Sequence, residues 1–330
     1  MKKPKLYGRD LEKTRLMKAF EHVSSGTGEV LLVPGPSGVG KTALVEELRS
    51  PVSLKNGFFL SGKFEQYQQN IPYFAFRQAI AEFCKEIQSK KDSDYLYFKN
   101  EILNAVGDLG QVLIDFVPEF GDFLGPQPSL GEISPQEARY RFTDVFQKFL
   151  GVLCRPEHPV VLFIDDWQWA DVASTGLLRK LEIGTSLRYL IIIAAYRNDE
   201  ISAGHHLLSA LRDLKSQHVI IKNQPVSNLS DFNIKEILRD TFLPSIENIS
   251  DLAALIHQKT KGNPFFIKSY QDFFQENKLV WFDTPANHWK WFSEKKPAEL
   301  PSTIVDLFAS KMSRLNQPQK NLFFLAACLG

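Results

Sequence analysis

Eight consecutive residues carry the clearest chemistry in this sequence: Gly35, Pro36, Ser37, Gly38, Val39, Gly40, Lys41 and Thr42. They fit G-x-x-x-x-G-K-[ST], a spacing in which glycines let successive backbone N–H groups turn toward one point and cradle phosphate oxygens. In that pattern Lys41 reaches the β- and γ-phosphates of a nucleotide, and the Thr42 hydroxyl is placed to bind Mg²⁺. Ahead of the loop runs Glu29-Val30-Leu31-Leu32-Val33, an apolar stretch rich in β-branched residues. Behind it Ala43-Leu44-Val45-Glu46-Glu47-Leu48-Arg49 reads as a helix, whose positive dipole end points at the same phosphates. A glycine-rich turn with a chance Lys-Thr would lack this strand-before, helix-after setting.

Two further strand ends add to the loop. Val160-Val161-Leu162-Phe163-Ile164 is a continuous apolar run, as a buried parallel strand requires, and it closes in Asp165-Asp166. Downstream of a P-loop this is the Walker B arrangement. Asp165 holds Mg²⁺, directly or through water, opposite Thr42, and Asp166 orients or deprotonates the attacking water. The plain alternative is a solvated turn. Leu190-Ile191-Ile192-Ile193-Ala194-Ala195 is a second such run, ending in Tyr196-Arg197. A cation there can sense or neutralise a γ-phosphate, or sit in a surface salt bridge.

Neighbouring residues carry less. Trp167 and Trp169 read as packing, and Asp171 as a helix cap. Gly26, Gly28, Gly57 and Gly62 read as ordinary turns. His205, His206 and the other histidines lack metal-ligand spacing. Trp281, Trp289 and Trp291 read as hairpin packing rather than a base-stacking platform, because few basic residues beyond Lys278 and Lys290 are interleaved.

The elements that must position these groups follow in order. After Leu6 to Glu12 a helix-like stretch runs to His22, and Phe58 to Lys63 forms the second strand. Pro72 to Arg155 is mostly helical, broken by a Pro- and Gly-rich loop from Pro118 to Pro135. Val219-Ile220-Ile221 is a further short strand. Strands alternating with helices predict an α/β fold, a parallel sheet covered on both faces. After Pro225 helices run from Asp231 to Asp240, Ile249 to Lys259 and Phe265 to Gln275. A hairpin joins Leu279–Phe282 to Trp289–Phe292, and two helices follow, from Pro301 to Ser313 and from Gln317 to Leu329. The expected domains are 1–225, 226–276 and 277–330.

The 330 residues are 44% hydrophobic and 23% charged, enough for a sizeable core. A net charge of +1 gives no electrostatic footprint for nucleic acid or an anionic membrane. Cys84, Cys154 and Cys328 are far apart and form no C-x-x-C, which predicts free thiols in a reducing cytoplasm. No apolar segment follows the basic N-terminus, so it is no signal peptide, and Leu190 to Tyr196 is too short to span a bilayer. The apolar helical end Ala326-Ala327-Cys328-Leu329-Gly330 predicts a piece of a longer chain.

Taken together, Tyr7-Gly8-Arg9-Asp10, the P-loop, Ile164-Asp165-Asp166-Trp167-Gln168-Trp169-Ala170-Asp171, Ala195-Tyr196-Arg197 and Gly262-Asn263-Pro264-Phe265-Phe266 stand in an order that resembles the AAA-type ATPase module of STAND proteins, the signal-transduction ATPases with numerous domains. Ser61-Gly62-Lys63-Phe64, Pro72-Tyr73 and the C-terminal Ala326 to Gly330 narrow the resemblance to modules of large kinase–ATPase–histidine kinase regulators. It implies a P-loop NTPase sheet, an α-helical lid, and the start of a further helical or winged-helix region. The strand of Arg197 would lie between the P-loop and Walker B strands. ATP or ADP with Mg²⁺ would sit between sheet domain and lid, held by Gly35 to Thr42 and Ala43. Tyr7, Gly8 and Arg9 would lie along the adenine, Pro264 would report the nucleotide from the lid, and Arg197 would sense the γ-phosphate. Lys41, Asp166 and Arg197 would be the catalytic residues, and Thr42 and Asp165 the metal ligands.

The implied function is a slow ATPase switch that is compact with ADP and open, often homo-oligomeric, with ATP, and whose partners are other domains of the same longer chain. Asp166 stands where many fast AAA motors have Glu, which favours slow turnover. Arg139, Arg141 and Arg188 are equal candidates for an arginine finger. The alternatives are a DNA-handling AAA protein of the origin-recognition type, a nucleotide-binding structural module without turnover, and a small-molecule kinase.

Overall fold

The computed structural model describes residues 5–291, 301, 304–313 and 315–329. Phe292, Ser302, Thr303 and Gly330, all named in expected segments, lie outside them. The chain divides into two compact bodies. The first comprises Glu12–Gly35 and Lys41–Pro225; the second comprises Pro36–Gly40 with the described residues of Met1–Leu11 and Val226–Gly330.

The first body is built on helix α1 (Asp10–Ser24) from Glu12 onward, strand β1 (Gly28–Pro34), α2 (Lys41–Val45), α3 (Arg49–Leu54) and β2 (Phe58–Lys63). A helical stretch follows, with α4 (Phe74–Gln88), α5 (Asp92–Val106), α6 (Gly110–Phe116), α7 (Glu119–Leu124) and α8 (Pro135–Leu153). Then come β3 (Val160–Asp165), α9 (Val172–Lys180), β4 (Leu190–Tyr196), α10 (His206–Ser216) and β5 (Ile220–Asn223). The five strands form one parallel sheet in the order β2-β3-β4-β1-β5. This is an α/β fold, and β4, which leads to Arg197, lies between the P-loop strand β1 and the Walker B strand β3.

Every residue of β1 and β3 is buried, which is why residues 30–33 and 160–164 are continuous apolar runs and do not alternate. At the sheet edge, two outward N–H groups of β2 are taken by side chains of α4: Ser61 N donates to Glu82 (3.0 Å) and Lys63 N to Gln78 (2.8 Å), which hinders further strand pairing there. Phe76, Ile80 and Phe83 of α4 are fully buried, and each contributes about 1.5–3 kcal/mol of apolar burial. Trp167 packs edge-on against Phe64 and Phe76 at 5.2 and 6.0 Å, the packing role its sequence setting predicts.

Two expectations need correction. Pro118 to Pro135 is not all loop: Glu119–Leu124 is helical, because Phe120, Phe123 and Leu124 share one face and are buried on it. Nor are all four glycines turns. Gly26, at φ +103°, is one, but Gly28 and Gly62 sit inside strands. A Cβ on Gly62 would lie 1.8 Å from the Ala75 carbonyl oxygen, so this glycine permits the close packing of α4 on β2.

In the second body α11 (Asp231–Thr241), α12 (Ile249–Thr260) and α13 (Pro264–Glu276) share a core that includes Ile234, Leu238, Ile256, Ile267 and Phe274. Strands β6 (Val280–Asp283) and β7 (His288–Trp291) form an antiparallel hairpin, followed by α14 (Ile304–Ser313) and α15 (Gln317–Leu329). Trp289 and Trp291 donate their indole N–H groups to the carbonyls of Leu243 and Glu247, each at 3.0 Å. The Trp289 ring packs on Phe242 and Phe282. These tryptophans are therefore hairpin packing. Cys84 and Cys154 are buried free thiols, and burial pushes the Cys84 thiol up to about 12. Among the described residues no helix is long and apolar enough to cross a membrane.

Candidate functional site

The backbone shapes the P-loop first. Gly35 N donates to the Tyr196 carbonyl (3.2 Å) as the chain leaves β1, and Gly38 and Gly40 then take φ of +73° and +96°. Left-handed residues at alternate positions, with Val39 between them, turn successive N–H groups toward one point, a nest suited to an anion. Nothing lies within 4 Å of a Cβ built on Gly40, so its backbone angle alone demands glycine. Lys41 is 7% exposed and donates from Nζ to the Gly35 carbonyl at 2.8 Å. Burial lowers its pKa, opposed by the nearby Asp165 and Asp166 carboxylates.

At the end of β3, the Thr42 hydroxyl donates to Asp165 Oδ2 at 2.5 Å, and Asp166 N donates to Asp165 Oδ1 at 2.8 Å. Burial raises the Asp165 pKa, while the Thr42 hydrogen bond pulls it down. A hydroxyl and a carboxylate this close are hard oxygen donors that fit one Mg²⁺. Among the described residues no cluster of three or more His, Cys, Asp or Glu forms a full cage. Mg²⁺ characteristically uses one or two protein oxygens and completes its shell with water and phosphate, so the residues present fit it.

Asp166 is held differently. Its backbone is left-handed, at φ +54°, and its carboxylate is nearly buried at 5% exposure. Oδ2 lies 3.0 Å from Lys63 Nζ, Oδ1 accepts from Gln168 Nε2 at 2.8 Å, and Arg197 Nε is 3.6 Å away. Gln168 also accepts from Arg197 N at 3.0 Å through Oε1, so one buried amide ties the β3 end to the β4 end. Arg197 lies over the Trp169 ring at 4.8 Å and pairs with Glu200 at 2.6 Å, so it takes part in a salt bridge as well as facing Asp166.

Sequence reading missed Lys63 and Gln168 as parts of this cluster. The parallel register pairs Lys63 with Asp165, and that pairing was the available signal: once β2 is placed beside β3, a cation at its end faces the acids. Asp171 caps α9, accepting from Ser174 N at 2.8 Å, and also accepts from Tyr73 N at 3.2 Å. Of the finger candidates, Arg188 donates to Gly26 O at 2.7 Å beside the N-terminal ends of β1 and β4, the end of the sheet opposite the Asp165 cluster. Arg139 and Arg141 lie on α8.

The second body holds the remaining predicted residues. Tyr7 donates to Asp240 at 3.0 Å. Arg9 is 5% exposed, and Nη2 donates to the carbonyls of Val39 (3.0 Å) and Ser227 (2.7 Å). Asn263 caps α13, accepting from Phe265 N and Phe266 N, with Pro264 in the first turn. Its Nδ2 donates to Ser37 O at 2.8 Å, and Phe265 N reaches Gly38 O at 3.3 Å. Gly262 (φ +78°) must be glycine, because a Cβ there would meet Leu229 O at 2.0 Å.

Residues 5–193 match a family model described as "AAA ATPase domain". The chain is 24% identical to hybrid signal transduction histidine kinase G of Dictyostelium discoideum, over 98% of this chain and 11% of that protein. It is 22% identical to peroxide stress-activated histidine kinase mak3 of Schizosaccharomyces pombe, over 91% of this chain and 14% of that one. It thus spans a small fraction of the length of these curated relatives. Among solved structures, Cdc6p from Pyrobaculum aerophilum has a TM-score of 0.46 at 14% identity, covering 84% of this chain and 64% of its own. A Walker-type ATPase of Pyrococcus abyssi has a TM-score of 0.40 at 14% identity, covering 83% and 69%.

Proposed function

This chain belongs to the AAA ATPase domain family, and we propose that it binds and slowly hydrolyses ATP as a regulatory switch of the STAND class within a longer signalling protein. The observation that carries the reading is the Thr42 hydroxyl set 2.5 Å from the Asp165 carboxylate at the foot of a P-loop. Lys41 binds the β- and γ-phosphates, and Thr42 and Asp165 hold Mg²⁺. When bound, the ion neutralises phosphate charge as it develops. Asp166 orients the attacking water and Arg197 neutralises the γ-phosphate.

Slow turnover follows from the occupancy of Asp166. Lys63 and Gln168 each already hold one of its two oxygens and Arg197 stands 3.6 Å away, so these donors and charges weaken its hold on a water at the remaining lone pairs. Tyr7 and Gly8 line the adenine, whereas the Arg9 head group is engaged by Val39 and Ser227. Pro264, at the start of α13, reports which nucleotide is bound. The partners of the switch are other domains of the same longer chain and, with ATP, further copies of it; its place of action is the cytoplasm.

Small-angle scattering tests the switch. The Asp166→Asn variant with Mg·ATP and the wild type with Mg·ADP should differ in radius of gyration, the ATP state being larger, because a nucleotide shifts an equilibrium only through differential contacts. Superimposable curves would sink the switch and leave a nucleotide-binding module.

A further inference from the structure

Three consecutive carbonyls of the P-loop crown are each held from outside. Ser37 O accepts from Asn263 Nδ2 (2.8 Å), Gly38 O from Phe265 N (3.3 Å) and Val39 O from Arg9 Nη2 (3.0 Å). All six residues belong to the same compact body. In a trans peptide the C=O of one residue and the N–H of the next point in opposite directions. Fixing these carbonyls outward therefore fixes the N–H groups of Gly38, Val39 and Gly40 inward, and these are the donors that a phosphate needs. The approach is close: a Cβ on Gly38 would sit 2.8 Å from Phe265 Cβ and 3.0 Å from Asn263 Oδ1.

We propose that Arg9 and Asn263 are positioning residues for the phosphate nest, setting affinity for the phosphates rather than for the base. The inference rests on the nucleotide-binding reading above and deepens it. Without the outer hydrogen bonds the glycine-rich peptides can rotate, and the N–H groups must be re-ordered each time an anion binds, which weakens binding. By linkage, a bound phosphate tightens the same clamp from inside, so α13 senses phosphate through the loop backbone without touching it.

Asn263 offers a selective test, because its two amide atoms do different jobs. The Oδ1 caps α13, while Nδ2 holds Ser37. Asn263→Asp and Asn263→Ser keep a capping oxygen and remove the donor. Titrations of the wild type, both variants, Arg9→Gln and Arg9→Lys with Mg·ADP and with inorganic pyrophosphate, alongside thermal melts, separate the roles. Asn263→Asp, Asn263→Ser and Arg9→Gln should each weaken both ligands about tenfold, with melting midpoints of the two Asn263 variants near wild type, and Arg9→Lys should retain part of the affinity. Unchanged affinity in the Asn263 variants and Arg9→Gln would overturn the clamp. So would a loss for ADP with pyrophosphate unaffected, which would place these residues on the base or sugar. A wild type that binds neither ligand would refute the nucleotide reading itself, a result distinct from either.

Discussion

Asp166→Asn is expected to lower the rate of phosphate release from ATP about a hundredfold while leaving Mg·ADP affinity within about threefold of wild type. The change is isosteric but removes the only property that lets this side chain draw a proton from water. The Asn oxygen can still accept from Gln168, so the ends of β3 and β4 stay tied, while its NH2 stands in place of the oxygen that faced Lys63. Lys63 and Arg197 lose their shared anion; Lys63 is half-exposed and re-solvates, and Arg197 keeps Glu200. ADP lacks the phosphate at which the water attacks, so its binding depends on the P-loop and not on Asp166. Equal phosphate release from variant and wild type would show that Asp166 is not the water-orienting acid, and would favour a module that holds nucleotide without turnover.

The second large effect is structural and reaches the site. Gly62→Ala is expected to destabilise the sheet body by about 3 kcal/mol, because the new methyl meets the backbone carbonyl of Ala75 and not a yielding side chain. Helix α4 cannot simply retreat: Phe76, Ile80 and Phe83 anchor it in the core. If it shifts, Gln78 moves off Lys63 N, and Lys63 is the residue that faces Asp166. Gly151→Ala in α8 is the control. Nothing lies within 4 Å of its Cβ position, and a helical Gly-to-Ala change there should stabilise by up to about 1 kcal/mol. Urea unfolding followed by far-UV circular dichroism reads both. A Gly62→Ala midpoint equal to wild type would mean that α4 does not pack on β2 at this distance.

Patterns that extend over a few residues were legible in the sequence. The strand–loop–helix run around Lys41, the acids closing β3 and the cation beyond β4 each combine an apolar run with a polar end, and the sheet brings the last two together. Groups that matter through a neighbouring strand or helix were not legible. Lys63 looks like any surface lysine until the parallel register sets it beside Asp165. Gln168 looks like a gap between two tryptophans until both ends of its amide are seen to be engaged. Gly62 carries the composition of a turn but serves a backbone crossing. Arg9 lies far from the P-loop in sequence, and only the folded chain shows its guanidinium on the Val39 carbonyl. The helix Glu119–Leu124 was hidden by flanking Pro118 and Gly125, which bound it at its two ends.

The central claim is that this P-loop binds a nucleotide through Lys41, and calorimetric titration of Mg·ADP into the wild type and Lys41→Ala tests it most directly. Lys41 is the cation buried within the loop, and a charge-assisted hydrogen bond lost from a phosphate weakens binding about a hundredfold. Saturable one-to-one heat with the wild type, and heat too weak to saturate with Lys41→Ala at the same concentrations, is the expected result. Equal isotherms for the two proteins, or no binding by the wild type, would contradict it.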